Sequence, residues 1–202
     1  MSALAVSNLS SLQNEQLIES LILGDQIEAR RARDTLVARG SAALPSLIEA
    51  VNSAHSDRDL WRILTTMAEI GGPEIVPTMI DALRSNNSAI SSIAAQSLST
   101  VKDSRSIDPM LELLNHRNPH TSAIWVIDAL GKLGAKRAIK PLLHLLHTTS
   151  SVPERYTAIE VLGIIGDQTV IDEIKRYETD PDSHVRDRVK TALIRLRQQI
   201  AN

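Results

Sequence analysis

The chain has 202 residues and a formal net charge of -2, so it lacks the broad positive field that general DNA or RNA binding requires. It contains no cysteine, which excludes disulfides, thiolate catalysis, and zinc or iron–sulfur sites held by Cys. Phe is absent and aromatic residues make up 2% of the chain, so the core must be aliphatic, which favours an all-α protein.

The first residues lack the basic start and the long apolar run of a signal peptide. No later segment approaches the roughly 18 apolar residues of a membrane span. We therefore expect a cytoplasmic protein without a membrane span.

Proline recurs every 32 residues in the middle of the chain, and each proline is followed two residues later by Leu or Met. Such a fixed period indicates structural repeats. The pattern predicts four equivalent first helices, marked by Pro45, Pro77, Pro109 and Pro141.

A second series of apolar residues recurs every 31 or 32 residues, with further apolar or small residues three and four positions before each. This spacing predicts six second helices, whose marker residues are Leu36, Met67, Leu98, Leu130, Leu162 and Leu193. Four positions after four of these markers stands a glycine, which we expect to end the helix in the left-handed conformation. These glycines are Gly40, Gly71, Gly134 and Gly166.

The two series together predict an all-α solenoid of about six helical pairs in one domain, residues 1–202. The repeats are expected at about 12–40, 41–72, 73–103, 104–134, 135–166 and 167–202. Both terminal repeats carry basic runs, Arg30 to Arg33 and Arg186 to Arg197, which we interpret as polar caps on the ends of the solenoid.

Three segments carry a family resemblance: RYTAIEVLGIIGD at 155–167, DPDSHVRDRVKTALIRL at 180–196, and LGKLG at 130–134. They resemble the HEAT-like repeats of the phycobilisome (bilin) lyase type. The middle repeats depart from the family pattern, since Leu60 and Ser91 replace its arginine and Lys102 replaces its closing glycine.

The resemblance implies a choice of roles. Cyanobacterial members of this family include subunits of heterodimeric bilin lyases, which attach tetrapyrroles to phycobiliprotein cysteines, a phycobilisome-degradation factor, and the IscA-interacting HEAT-repeat adaptor. The implied partners are a phycobiliprotein, a second HEAT-like subunit or another client protein. The family arginines, Arg155 and Arg186, are interpreted as structural, bridging to an acidic or carbonyl group of an adjacent turn.

Second helices of such repeats are expected to line a concave groove. At 100° per residue, the positions two and six before each marker face away from the core. We predict a polar, locally acidic strip with aromatic anchors for a partner: Trp61, Trp125, Tyr156, Asp34, Gln96, Asp128 and Glu160. The alternative is that each ring fills the seam between adjacent second helices.

Pairs of acidic residues and of histidines are weaker candidates for a functional site. Asp128 and Glu160 occupy equivalent positions in neighbouring repeats. They could form a proton-donor pair, or they could belong to an acidic strip that recognises a basic partner; the strip is the preferred interpretation. The pairs His144 and His147 on one helix, and His116 and His120 around a turn, are interpreted as solvated side chains, with no metal site.

No phosphate loop or Ser-His-Asp arrangement accompanies these residues, so autonomous catalysis is not predicted. The leading interpretation is a protein-binding adaptor or chaperone-like scaffold that needs no cofactor. The alternative is one subunit of a heterodimeric phycobilin lyase or isomerase, which would handle a bilin. A third alternative, nucleic-acid binding through the terminal arginines, conflicts with the near-neutral charge.

Overall fold

A computed structural model describes residues 12–116 and 123–201, and over these residues the secondary structure consists of α-helices and short 3₁₀ turns, with no strand. Twelve α-helices follow one another there as six pairs, whose spacing matches the predicted repeats. The pairs are α1 (Asn14–Leu23) with α2 (Gln26–Arg39), α3 (Leu44–Asn52) with α4 (Asp57–Ile70), α5 (Val76–Ala82) with α6 (Ser88–Val101), α7 (Ile107–Asn115) with α8 (Ala123–Lys132), α9 (Ile139–Thr148) with α10 (Val152–Ile165), and α11 (Ile171–Lys175) with α12 (Ser183–Ala201).

The helices form two compact units, Met1–Val101 with α1 to α6 and Lys102–Asn202 with α7 to α12. In the first unit α4 packs against α1, α2, α3 and α6; in the second α10 packs against α8, α9 and α12. This neighbour-to-neighbour packing confirms the predicted fold class, an all-α solenoid of helical pairs. The assignment of the whole chain to one domain stays a prediction. None of the helices described has both the length and the hydrophobicity needed to cross a membrane.

The marker residues of the second helices form the core, as predicted. Five of the six have no exposed surface and Leu193 is 4% exposed. Burying one such aliphatic side chain contributes about 1.5–3 kcal/mol, so each marker residue stabilises its helical pair. The residues are Leu36, Met67, Leu98, Leu130, Leu162 and Leu193.

The predicted prolines all lie in the first turn of a first helix. Pro45 and Pro77 stand at the second position of α3 and α5, and Pro109 and Pro141 at the third position of α7 and α9. The first turn of a helix makes no intrahelical bonds through its N–H groups, so proline starts these helices without losing one.

Side chains in the preceding turns cap the second helices. The Asp25 carboxylate accepts hydrogen bonds from the first-turn N–H groups of α2 at 2.8 and 2.9 Å. Ser56 caps α4 at 3.2 Å, and Asp182 accepts a 2.8 Å bond from the backbone of His184 in α12. The Asp182 carboxylate, in the Asp-Pro-Asp turn, therefore caps the last helix.

Helix ends follow the predicted glycine pattern with one correction. Gly40, Gly71 and Gly134 have positive φ angles of 60°, 73° and 63°, and Lys102 has a φ of 57°. Gly166 was expected to do likewise, but its backbone is extended, with φ of -73°. A Cβ there would lie 2.3 Å from the Leu162 carbonyl oxygen, so close approach rather than a left-handed turn accounts for the glycine.

The family arginines bind the last turn, as predicted. Arg155 Nε lies 3.2 Å from the Asp180 carboxylate, and both side chains are largely shielded from solvent. Arg186 donates a 2.7 Å hydrogen bond to the Asp180 carbonyl oxygen. Nearby, the Tyr177 hydroxyl donates to the Leu146 carbonyl oxygen at 2.9 Å, and burial raises the pKa of this phenol. The Arg155 and Tyr177 contacts link the last helical pair to the one before it, and the Arg186 contact lies within the last pair.

We expect Lys102→Gly to stabilise the protein by about 0.5–1 kcal/mol, because glycine adopts positive φ without the steric cost that lysine bears. Gly134→Ala is the reciprocal change and should cost about 1 kcal/mol. A Cβ on Gly134 meets no atom within 4 Å, so its effect reports the backbone alone. Urea unfolding followed by circular dichroism measures the stability of both variants. An unchanged free energy of unfolding in either variant would contradict the assignment.

Gly163 lets α10 and α12 approach closely, because a Cβ there would lie 2.6 Å from the Ala192 Cβ and 2.8 Å from its Cα. We expect Gly163→Ala to lower the free energy of unfolding by about 1–2 kcal/mol, despite the better helix propensity of alanine. Gly131→Ala is the control, since the atoms nearest to the added Cβ belong to the Val161 side chain, at 2.8 Å, and not to a backbone. An equal loss in both variants would argue against a backbone contact at Gly163.

Candidate binding surface on the second helices

The positions predicted to face away from the core do so in both units. All twelve are exposed or half-buried, and none is buried. We call this side of the chain the second-helix face. One row is Asp34, Thr65, Gln96, Asp128, Glu160 and Thr191, and the other is Arg30, Trp61, Ser92, Ile124, Tyr156 and Asp187.

The aromatic side chains on or beside this face are partly packed and partly open. Trp61 on α4 is 43% exposed and Trp125 on α8 is 38% exposed, while Tyr156 on α10 is half-buried. More than a third of the surface of each tryptophan residue is therefore open to a partner. Their role as anchors stays a prediction.

In the first unit, a cleft of about 540 Å³ lies beside Trp61, on the faces of α2 and α4. Four arginines line it: Arg30 and Arg33 from α2, and Arg58 and Arg62 from α4. The predicted strip is thus basic at this point rather than acidic. Arg33, Arg58 and Arg62 fall outside the two rows considered in the sequence, so helical spacing alone did not place them here.

Two of these arginines have structural partners. Arg62 Nη1 donates to the carbonyl oxygens of Leu21 and Ile22 at 2.7 and 3.0 Å, which satisfies the end of α1. Arg33 lies 3.3 Å from the Asp34 carboxylate and 3.6 Å from that of Glu69. The guanidinium of each is therefore held in place before any ligand arrives.

The other two arginines are different. Arg30 and Arg58 are exposed, and neither forms an ion pair with any residue in 12–116 or 123–201. Their guanidinium groups bring a net positive charge to the cleft, beside the open Trp61 ring.

The second unit has a smaller cleft of about 450 Å³ on α10 and α12, lined by Tyr156, His184, Asp187, Arg188 and Thr191. Its charges are mixed. Each cleft therefore has its own aromatic ring at the equivalent repeat position, Trp61 in the first and Tyr156 in the second. The arginine cluster belongs to the first unit's cleft and not to this one.

The two carboxylates proposed as an acidic pair each have a cationic neighbour. Lys132 Nζ lies 2.7 Å from Asp128, one turn further along α8, and Arg188 Nε lies 3.5 Å from Glu160. Each carboxylate therefore has a separate cationic partner, an arrangement that does not indicate a proton shared between the two. Gln96 is exposed on α6, and Asp34 pairs with Arg33.

The histidines lie apart from this face. His144 and His147 are exposed on α9, and His147 Nε2 is 3.1 Å from the Glu173 carboxylate on α11. His116 is exposed at the end of α7, and His120 lies outside the described residues. Within the described ranges, no three His, Asp or Glu side chains are grouped closely enough to hold a metal ion.

Comparison with known proteins supports the repeat assignment. The chain is 29% identical over 132 residues to the phycocyanobilin lyase subunit beta of Pseudanabaena tenuis (strain PCC 7409), a match covering 65% of this chain. It spans only 46% of that relative's length. The resemblance to the bilin-lyase HEAT repeats is thereby confirmed.

Solved structures show the same fold. The complex of CpcE and CpcF of phycocyanin lyase from Nostoc sp. PCC7120 matches with a TM-score of 0.61 and 20% identity, covering 95% of this chain and 80% of that one. An engineered protein matches with a TM-score of 0.59 and 18% identity, covering 93% and 97%. A family model for HEAT repeats matches residues 44–124, 93–154 and 121–194. Because these matches extend over well more than half of the sequence, the chain belongs to the HEAT-repeat family.

Proposed function

We propose that the chain is one subunit of a bilin-lyase-type complex, which holds a bilin and a phycobiliprotein together with a second HEAT-like subunit. The observation that carries this proposal is the similarity to the phycocyanobilin lyase subunit beta over 132 residues. It favours the lyase interpretation over the general adaptor that the sequence alone suggested.

The second-helix face supports this function physically. A lyase subunit must present one surface to a protein and accommodate a planar conjugated ligand. Open Trp and Tyr rings serve both purposes, since they anchor interfaces and stack on planar groups. Trp61 and Trp125 are the two most exposed of these rings.

The likeness to a two-subunit lyase complex supports the need for a partner chain. In this proposal the chain contributes binding and orientation, which raise the effective concentration of the bilin at the acceptor cysteine. The charged side chains of the face fix the register of the partner protein.

Co-expression tests the proposal. The chain is produced with a phycobiliprotein α or β subunit, a bilin source and a candidate HEAT-like partner subunit, and covalent colour is sought on a denaturing gel. We expect colour when both HEAT-like chains are present and none when either is omitted. Capture of the phycobiliprotein without colour, for every partner subunit, would favour the adaptor function instead.

We expect the Trp61→Ala, Trp125→Ala double variant to weaken partner binding roughly tenfold or more, because a buried aromatic anchor typically contributes at least 1–2 kcal/mol. Titration of labelled chain against the partner measures the affinity. His144→Ala is the control, because His144 is exposed on the first helix α9 and belongs to neither row of the face. Unchanged affinity in the double variant, with native helicity, would exclude both indoles as anchors.

A further inference from the structure

We propose that the cleft on α2 and α4 is a binding site for the carboxylate groups of a bilin, in which Arg30 and Arg58 bind the two propionates and Trp61 stacks on the conjugated system. This rests on the proposed lyase function, and it assigns the ligand to one particular cleft of the first unit. Arg30, which the sequence suggested was part of a polar cap, then has a binding role.

The charge of the cleft is the first argument. Arginines are gathered there in a chain whose overall charge is slightly negative. No carboxylate is among the described residues that line the cleft, and Asp34 and Glu69 are paired with Arg33. Like charges brought together repel one another unless an anion joins them, so the cleft favours an anionic ligand.

Hydrogen-bonding capacity is the second argument. A guanidinium has five N–H donors in a planar arrangement that matches a carboxylate with two parallel bonds. Arg30 and Arg58 form no ion pair with the described residues, so these donors remain available. Arg33 Nε is in addition buried without a hydrogen-bond partner among the described residues. Arg33 and Arg62, held by their own partners, keep the two walls in place.

Shape is the third argument. The cleft measures about 540 Å³, within the range of sites that hold small organic ligands. One free guanidinium comes from α2 and the other from α4, with the open indole of Trp61 beside them. This arrangement suits a planar ligand that bears two carboxylates, which describes an open-chain tetrapyrrole better than it describes a simple anion.

Biliverdin and its dimethyl ester provide matched probes, because they share the conjugated system and differ in the propionate charges. We expect the full chain to bind biliverdin at least tenfold more tightly than the ester, with quenching of Trp61 fluorescence that Trp61→Phe removes. Biliverdin binding should weaken with added salt, while ester binding should change little.

Variants test the residues. Arg30→Gln and Arg58→Gln should each weaken biliverdin binding roughly tenfold and leave ester binding unchanged. Arg31→Gln is the matched control, since Arg31 is an exposed neighbour on α2 that does not line the cleft. Arg30→Lys should restore only part of the affinity, because an ammonium does not form the paired bonds of a guanidinium. Circular dichroism of each variant checks folding.

Equal affinity for biliverdin and its ester, or equal losses in Arg30→Gln and Arg31→Gln, would overturn the site. Unchanged biliverdin affinity with lost partner capture in Arg30→Gln would also overturn it, and would assign the cleft to an acidic segment of the partner. The two proposals fail separately: binding of free biliverdin needs no partner subunit, whereas covalent colour does. Biliverdin binding without colour would therefore reject the lyase function and keep the site.

Discussion

Burial of one aliphatic stripe on every second helix is the constraint on which the rest of the structure depends. A single helical pair cannot cover its own apolar face, so each second helix needs a neighbour to exclude water from its marker residue. Within the first unit α4 packs on α2 and α6, and within the second α10 packs on α8 and α12. Small residues such as Gly163 allow the helices to approach this closely. The residues on the opposite side of each second helix therefore do not have to be apolar for the core to pack.

That freedom explains why the second-helix face differs between the units while the core does not. Marker positions accept only Leu or Met in this chain, but the exposed rows carry Arg, Asp, Gln, Trp, Tyr and Thr. In the first unit Arg30, from one of these rows, lines a cleft beside Trp61 together with three arginines from outside the rows. In the second it produces Tyr156 with charges of both signs. Function in a repeat protein depends on such local sets of side chains rather than on the fold.

The helices could be predicted from the sequence because local physics determines them: proline starts a first helix, a polar residue caps a second helix, and the apolar stripe follows helical spacing. Gly166 could not be assigned correctly, since its sequence position resembles that of Gly134 and only the contact with Leu162 distinguishes them. The arginine cleft was missed for a related reason. Arg30 and Arg58 belong to different helices, and the side chains that meet across two helices depend on how those helices pack.

The arginines of the chain also show how a structural role can be separated from a binding role. Arg62 and Arg186 donate hydrogen bonds to backbone carbonyl oxygens, and Arg155 pairs with a shielded carboxylate. Each such contact satisfies a polar group that folding would otherwise leave without a partner. Arg30 and Arg58 satisfy no group of this kind in the described parts of the chain, yet they line one cleft with a partly open indole. No structural contact accounts for their position, whereas the ligand site that we propose would.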